Sequence, residues 1–274
     1  MDLKLTDKVA LITGSSRGIG LATARAFAAE GCRLVLSARS AEQLTEAEAG
    51  LRASGVSVAA RVADVSQPEE AASLVQAAVT AFGGIDILVN NVGGGGGGAR
   101  IADSTDDDWR TAMERNLIQT VRMMRLALPH MKGRSGACVI NVASISGWSA
   151  QLAMSGQYGA AKAALIFDTE RWALEFVPHR IRVNTVSPGS ILVDGNGWDR
   201  YRVAHRDYFD DYVRHGFPMA GSAPPRKWLT SSPLPPRRAH TGSTAGTSRS
   251  MDWSSHTRRS IADLSNAASL RSPS

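Results

Sequence analysis

The chain of 274 residues has only two cysteines and no run of eighteen or more apolar residues. A membrane-spanning helix needs about 20 mostly apolar residues, so the sequence predicts no span. The amino-terminal residues lack the basic and apolar stretches of a signal peptide. Cys32 and Cys138 lie in apolar, strand-like segments, which is typical of buried thiols in a reducing compartment. We therefore expect a cytoplasmic protein with one main domain.

Net charge is also nearly absent from most of the chain. The overall charge is +6, but residues 220–274 hold eight Lys and Arg against two Asp and Glu and so carry all of it. Residues 1–219 are neutral overall. No aromatic stacking platform accompanies the basic residues, so we expect neither a nucleic acid nor a membrane as partner.

Short apolar segments alternate with helical patterns along residues 1–219. The predicted strands are 8–13, 33–38, 56–62, 85–90, 137–143 and 181–187, and the predicted helices are 18–30, 41–53, 68–82, 106–131 and 157–177. Such alternation indicates an α/β fold, a doubly wound, Rossmann-like parallel sheet with helices on both faces. Ligands of these sheets bind beyond the carboxyl ends of the strands.

A glycine-rich turn follows the first predicted strand. Its spacing, Gly14-x3-Gly18-x-Gly20, differs from the common dinucleotide fingerprint. We expect Gly14 to permit a tight turn, Gly18 to let the backbone approach a pyrophosphate, and Gly20 to permit close helix packing. The helix that begins near Gly18 offers unpaired amides to phosphate. The candidate contacts in this turn are Gly14, Ser16, Arg17, Gly18, Ile19 and Gly20.

Tyr158 and Lys162 stand four residues apart on a predicted helix, so they share one face. A phenol with a pKa of about 10 is a poor acid or base at neutral pH, and a neighbouring ammonium is expected to lower that pKa. Ser144 adds a small hydroxyl that can reach a carbonyl oxygen. Together with the glycine turn, these residues predict hydride exchange between a nicotinamide and a carbonyl or alcohol.

These motifs resemble the short-chain dehydrogenase/reductase family in its single-domain form, and in particular 3-oxoacyl-carrier-protein reductases. The resemblance spans about residues 5 to 219, and its elements occur in the family's order. They are Thr13 to Gly20, Asp64-Val65, Asn90 to Gly93, Asn116, Ser144, Tyr158 to Lys162 and Pro188-Gly189.

The resemblance implies a catalytic set of Asn116, Ser144, Tyr158 and Lys162. Tyr158 would exchange the proton, Ser144 would bind the substrate oxygen, Lys162 would also hold the nicotinamide ribose, and Asn116 would support a water-linked proton path. Asn116 could instead make only a local bond within its helix. The resemblance places the remaining cofactor contacts at Asp64, Val65, Asn91, Gly93, Pro188, Gly189 and Ile191, and no metal is expected.

The end of the second strand favours NADP(H) over NAD(H). Sheets that bind NAD usually carry an acidic residue there, whereas this chain has Ser37-Ala38-Arg39-Ser40. Arg39 and the nearby Arg17 suit a 2′-phosphate through charge-assisted bonds. Both arginines could instead be solvated surface residues.

The chain departs from the family pattern at three places. Val92 replaces an alanine beside the cofactor, and Val193 replaces a threonine that touches the carboxamide. Residues Gly93 to Gly98 form a run of six glycines. We expect this run to be flexible, and an inert loop is a more economical interpretation than a reshaped substrate entrance.

Residues 194–219 carry several aromatic side chains and resemble the family's substrate lid, although an ordinary surface helix pair fits equally well. Residues 220–274 contain 24 Ser, Thr and Pro, and we expect disorder there. One base missing after the Met219 codon would explain this tail. Its restoration recovers Gly-Arg-Leu-Gly-Thr-Pro-Glu-Glu-Val-Ala-Asp-Val-Val, and later Val-Asp-Gly, both typical of the family. The alternative is a genuine disordered tail.

The leading functional hypothesis is an NADPH-dependent ketoreductase acting on a small carbonyl or alcohol substrate. An alcohol dehydrogenase of a secondary metabolite has the same four residues. A cofactor-sensing regulator or a catalytically impaired protein is the hypothesis from another class. The resemblance also implies a homo-tetramer, assembled through the helices at 106–131 and 157–177, if the carboxyl terminus is intact.

Overall fold

A six-stranded parallel sheet dominates the computed structural model, which describes residues 3–98, 100–150, 155–189, 191, 197–207 and 209–210. The strands are β1 (Val9–Ile12), β2 (Arg33–Ala38), β3 (Val58–Val62), β4 (Ile87–Asn90), β5 (Cys138–Val142) and β6 (Arg182–Val186). The helices are α1 (Gly18–Ala29), α2 (Ala41–Arg52), α3 (Pro68–Phe82), α4 (Asp106–Met113), α5 (Gln119–Met131), α6 (Gly156–Glu175) and α7 (Gly197–Ala204).

The strand order is β3-β2-β1-β4-β5-β6. The chain moves outward from β1 to β3, crosses back to β4, and then moves outward in the other direction to β6. The order of the strands therefore reverses between β1 and β4, which is where ligands bind in sheets of this kind. The predicted doubly wound α/β fold is confirmed.

The sheet is covered on both faces, as β1 illustrates. Val9 and Leu11 pack into one core with side chains of α3 and α5. Ala10 and Ile12 pack into a second core with side chains of α1 and α2. Successive strand residues point to opposite faces, so a strand that is apolar throughout can be buried only between two helical layers.

Local sequence signals define several helix ends. Ser40 caps α2 by accepting a hydrogen bond from the Gln43 amide. Thr105 and Asp108 form a capping box at the start of α4. Gly83 ends α3 with φ +76°, a left-handed conformation that glycine adopts without steric cost.

The predicted helix over 106–131 is continuous but not uniform. A π-helical turn, Glu114–Ile118, separates α4 from α5. Such a turn places one extra residue in the helix and is often found at functional sites. None of the helices in the described ranges is both long and apolar enough to span a membrane.

Candidate active site

The predicted motifs converge at the carboxyl ends of the strands. Gly14 follows β1, Asn91 follows β4, Ser144 follows β5 and Pro188 follows β6. Parallel strands end at the same edge of a sheet, so segments far apart in sequence come together there. The Ile145 amide donates to the Pro188 carbonyl over 3.1 Å, which joins the segments after β5 and β6.

The glycine turn has the backbone conformation that its spacing predicts. Gly14 and Gly18 have φ of +64° and +57°, which few other residues adopt readily. A β-carbon at Gly20 would overlap the Gly14 carbonyl oxygen. The Asn91 side chain donates to the carbonyls of Thr13 and Gly14, each over 3.0 Å. Asn91 therefore holds the turn in place, in addition to the cofactor contact that the resemblance implies.

A cavity of about 640 Å³ lies beyond the ends of β1, β2 and β3. The first turn of α1, which includes Gly18, Ile19 and Gly20, begins directly after residues of its lining. A helix start beside a cavity is suited to a phosphate because its amides and dipole favour an anion. The predicted contacts that line the cavity are Gly14, Ser16, Arg17, Arg39, Asp64 and Val65.

The cavity lining carries four arginines and two carboxylates, Asp64 and Glu114. Arg39 lies 3.7 Å from the carboxylate of Asp64, and most of the Arg39 side chain is exposed. Burial alone would raise the pKa of Asp64, but hydrogen bonds from Ser66 and the charges of Arg39 and Arg115 bring it below its usual value. Asp64 is therefore ionised at neutral pH, and Arg39 keeps exposed N–H groups for an anionic ligand.

Ser144, Tyr158 and Lys162 come together as the sequence predicts. The Ser144 hydroxyl hydrogen-bonds the Tyr158 phenol. The Lys162 ammonium lies 5.9 Å from the centroid of the Tyr158 ring. It donates to the Val142 carbonyl of β5 over 2.8 Å and is 2 % exposed. A phenol, a hydroxyl and a buried cation thus share one site.

The pKa values of this group differ from the expectation of a lowered phenol pKa. Burial raises the pKa of Tyr158, and the hydrogen bond from Ser144 only partly opposes that rise. Burial also lowers the pKa of Lys162 to about 8. Desolvation disfavours the charged form of each group, and it is the largest cause of both shifts.

Asn116 lies in the π-helical turn and does more than make a local bond. Its side chain donates to the Ala112 carbonyl within the helix and to the Gly94 carbonyl, each over 3.0 Å. Its amide oxygen accepts from the Gly94 amide over 2.9 Å. A β-carbon at Gly93 would lie 2.9 Å from both the Asn116 oxygen and the Lys162 nitrogen. Asn116 and Lys162 therefore flank the same glycine.

The remaining predicted contacts lie near the end of β6. Gly189 approaches Ile145, and Ile191 is buried. Val193 lies outside the described residues, as do all of the 220–274 tail and the region of Met219. The predicted lid is described only through α7 and residues 205–207 and 209–210, where Phe209 is buried.

The cavity lining also includes residues that were not predicted from the sequence, among them Arg115 and Gln119. Arg115 lines the cavity beside Asn116. Gln119 also lines it, is fully buried, and donates to the Val92 carbonyl over 3.1 Å. Both follow from the π-helical turn, because that turn changes which residues of the helix face the cavity. Among the described residues, no group of three or more His, Cys, Asp or Glu is arranged to hold a metal ion.

Comparisons with known sequences agree with this geometry. A family model described as short chain dehydrogenase matches residues 8–200. Dehydrogenase/reductase SDR family member 4 of Sus scrofa is 37% identical over 210 residues, covering 77% of this chain and 75% of that protein. An uncharacterised oxidoreductase of Mycobacterium tuberculosis is 41% identical over 192 residues, covering 69% of this chain and 71% of that protein.

Two similar solved structures contain different nicotinamide cofactors. L-sorbose reductase of Gluconobacter frateurii, complexed with NADPH and L-sorbose, has a TM-score of 0.77 and 34% identity, over 83% of this chain and 89% of that chain. An NAD⁺-bound xylitol dehydrogenase has a TM-score of 0.66 and 35% identity, over 69% of this chain and 73% of that chain.

Proposed function

The chain belongs to the short-chain dehydrogenase family, and we propose that it is an NADPH-dependent ketoreductase. The observation that carries this proposal is the cluster of three side chains after β5 and on α6. The Ser144 hydroxyl hydrogen-bonds the Tyr158 phenol, and the Lys162 ammonium lies 5.9 Å from the centre of the phenol ring.

The three side chains have complementary roles in carbonyl reduction. NADPH, when bound, supplies the hydride. Tyr158 donates its phenolic proton to the carbonyl oxygen as that oxygen gains charge, and Ser144 donates a hydrogen bond to the same oxygen. The charge of Lys162 stabilises the phenolate that remains. In the oxidative direction, the Tyr158 phenolate accepts the proton of the alcohol.

The raised pKa of Tyr158 is consistent with the role of proton donor in reduction. A phenol with this pKa stays protonated at neutral pH and is ready to act as an acid. Alcohol oxidation needs the phenolate, which burial disfavours in the same site. Asn116 holds Gly94 beside the cluster, and we assign it the support of the proton path behind Lys162.

Tyr158→Phe tests the proton transfer. The variant keeps the ring and its packing but loses the only proton that the ring can donate, so we expect turnover to fall at least about a thousandfold. NADPH binding, measured by fluorescence titration, should stay within about twofold. A variant that retains turnover would refute the role of Tyr158. A wild-type protein that reduces no ketone, ketose or 3-oxoacyl thioester would refute the reductase proposal.

Arginines that line the cavity support NADPH as the cofactor. Arg17 and Arg39 both line it, and the end of β2 carries no acidic residue that would bind a free ribose hydroxyl. L-sorbose reductase, which is similar in fold and sequence, was solved with NADPH. Xylitol dehydrogenase, which is about as similar in sequence, was solved with NAD⁺. The preference is therefore a matter for direct measurement.

Arg39→Ser tests the cofactor preference. A charge-assisted bond to a phosphate contributes roughly 1.5 to 3 kcal/mol, so the variant should lose about 10- to 100-fold in kcat/KM for NADPH. Its kcat/KM for NADH should hardly change. Arg61→Ser is the matched control, because Arg61 is exposed on β3 and is not part of the described cavity lining. Equal losses with both cofactors would contradict recognition of the 2′-phosphate by Arg39.

A second candidate function is an alcohol dehydrogenase that works in the oxidative direction, which the similarity to xylitol dehydrogenase favours. Initial rates, measured separately for carbonyl reduction and for alcohol oxidation, separate the two candidate functions. A cofactor-sensing protein would bind NADPH with no turnover in either direction.

We also propose that the protein is cytoplasmic and that it assembles as a tetramer when its carboxyl terminus is intact. Phe167 and Leu174 lie seven positions apart on α6 and are 70% and 66% exposed, so they form an apolar stripe that assembly would cover. Light scattering on the protein encoded with the missing base restored tests the assembly, and a monomer in solution would contradict it.

A further inference from the structure

Gln157 precedes the proposed proton donor and is almost entirely buried, with 2 % of its surface exposed. Its amide nitrogen donates to the carbonyls of Gly96 and Gly98, over 3.2 and 3.0 Å. A buried side-chain amide normally has its hydrogen-bonding groups satisfied, and here both N–H groups are used on one loop. Gln157 therefore links the start of α6 to the six-glycine run.

The run from Gly93 to Gly98, which we call the glycine loop, is held along its whole length. Asn116 exchanges two hydrogen bonds with Gly94. Arg115 donates to the Gly95 carbonyl over 3.2 Å. The loop that we expected to be flexible and inert thus has side-chain hydrogen bonds from the π-helical turn and from α6.

Close packing explains why glycine is needed at the far end of this loop. Gly97 has φ of +78°, and a β-carbon there would lie 2.7 Å from the Asp108 side chain. A β-carbon at Gly98 would overlap the Asp103 carbonyl. No atom lies within 4 Å of the corresponding position at Gly95. The loop is thus pressed against the start of α4 on one side and bound by Gln157 on the other.

We propose that Gln157 is a positioning residue that fixes the glycine loop as one wall of the substrate entrance. This inference rests on the proposed function. Gly93 lies between Asn116 and Lys162, so the near end of the loop borders the reacting groups. Gln157 holds the far end to the helix that carries Tyr158. A wall fixed at both ends keeps a carbonyl substrate within reach of the phenol without itself taking part in proton or hydride transfer.

Loss of the Gln157 hydrogen bonds should therefore weaken substrate binding without slowing the chemical step. Loss of the two hydrogen bonds frees residues 96–98, and the substrate then has to order the loop as it binds. KM for the carbonyl substrate should rise, whereas the rate of chemistry at saturation and the affinity for NADPH should stay nearly constant. Damage to the fold would instead lower kcat and the affinity for NADPH together with any rise in KM.

Gln157→Met and Gln157→Glu form the main test, with Gln76→Met as the matched control. Methionine has a similar size but donates no hydrogen bond. Glutamate places an ionised oxygen against two carbonyl oxygens at pH 8, and near pH 5 its protonated form can donate to one of them. Gln76 is exposed on α3 and donates only to the Thr80 side chain among the bonds described for it.

Hydrogen exchange and steady-state kinetics on the full chain are the two measurements. In Gln157→Met, amides of residues 94–98 should exchange at least about tenfold faster, and KM for the ketone should rise about tenfold with kcat within about twofold. Gln157→Glu should show the same defect at pH 8 and partial recovery near pH 5. Gln76→Met should match the wild type in both measurements.

Two results would overturn the proposal. The first is a Gln157→Met variant whose amides at residues 94–98 exchange at the wild-type rate and whose KM for the ketone is unchanged. The other is a loss of kcat and NADPH affinity as large as the change in KM. If Gln157→Met does not fold, Gly97→Ala displaces the loop from the Asp108 side and must give the same rise in KM. A wild-type protein with no carbonyl reduction refutes the proposed function alone, since the exchange measurement still decides whether Gln157 holds the loop.

Discussion

Lys162 combines its proposed role at the active site with a cost to stability. Its ammonium is 2 % exposed, and burial lowers its pKa to about 8 from an ordinary value of 10.5. The Val142 carbonyl is the hydrogen-bond acceptor described for it. An unfolded chain would hold the proton more tightly than the folded chain does, so between pH 8 and pH 10.5 the unfolded state binds more protons. The stability of the folded protein therefore rises with pH in that range.

Lys162→Met should consequently stabilise the protein at neutral pH while abolishing turnover. The desolvation cost is fully present below about pH 8 and disappears by about pH 10.5, so the free energy of unfolding should exceed that of the wild type by roughly 1 to 3 kcal/mol at pH 7. The difference should shrink towards zero at pH 10. Urea unfolding at both pH values measures it. A variant that is less stable at pH 7 would show that the bond to Val142 outweighs desolvation.

Single residues differ in how well the sequence predicted them. Tyr158, Lys162 and Ser144 could be predicted because helical spacing and family motifs fix their relation. The raised pKa of Tyr158 could not, because it depends on how deeply the folded chain buries the phenol. The contact between Gln157 and the glycine loop could not either, since it joins carbonyls about 60 residues away in the chain.

At the scale of elements, the glycine turn and α1 form one packed unit. A β-carbon at Gly20 would meet the Gly14 carbonyl and would lie 2.7 Å from the Asn91 side-chain nitrogen, which itself binds the turn. Each of these neighbours is fixed by hydrogen bonds or by the turn itself, so none can move without disturbing the others. The turn, the helix start and the segment after β4 therefore respond together to any added bulk at this position.

Gly20→Ala should displace the turn and weaken cofactor binding. Overpacking costs about 1 to 3 kcal/mol, so we expect a loss of that size in unfolding free energy and at least about a tenfold rise in the Kd for NADPH. Gly50→Ala in α2 is the control, because no atom lies within 4 Å of its added carbon and alanine favours a helix by about 0.5 to 1 kcal/mol. If Gly20→Ala and Gly50→Ala have the same unfolding free energy and the same Kd for NADPH, close packing at Gly20 does not hold the turn.

The π-helical turn marks the limit of sequence prediction for elements. Apolar spacing predicts a single helix over 106–131, and a helix is present there, but spacing carries no signal for the extra residue at Glu114–Ile118. That residue is accommodated because Asn116 bonds to Gly94 and to the Ala112 carbonyl at once. The cause is a tertiary contact, which a local pattern cannot contain.

At the scale of the whole molecule, the described part of the sheet ends in two edge strands, β3 and β6. Alternating strands and helices predict a parallel sheet with two covered faces, whereas the order of the strands appears only in the structure. In the part of the chain that the structure describes, β6 pairs on one side only, with β5. Val186 at its end and Val177 before it are 46% and 48% exposed. Unpaired backbone groups and apolar side chains at an edge invite association with other chains.

The proposed loss of one base after the Met219 codon makes a prediction about this edge. A gene with the base restored encodes a helix and a strand of the family type in place of residues 220–274, and a further strand can pair with β6. We expect the restored protein to melt roughly 5 to 10 °C higher than the chain as written, and to be a monodisperse tetramer by light scattering. The chain as written should aggregate near its melting temperature, because the edge of β6 and the apolar stripe on α6 stay uncovered. If the chain as written melts as high as the restored protein and is equally monodisperse, then the edge of β6 needs no further cover, and the alternative of a genuine disordered tail replaces the missing base as the explanation of residues 220–274.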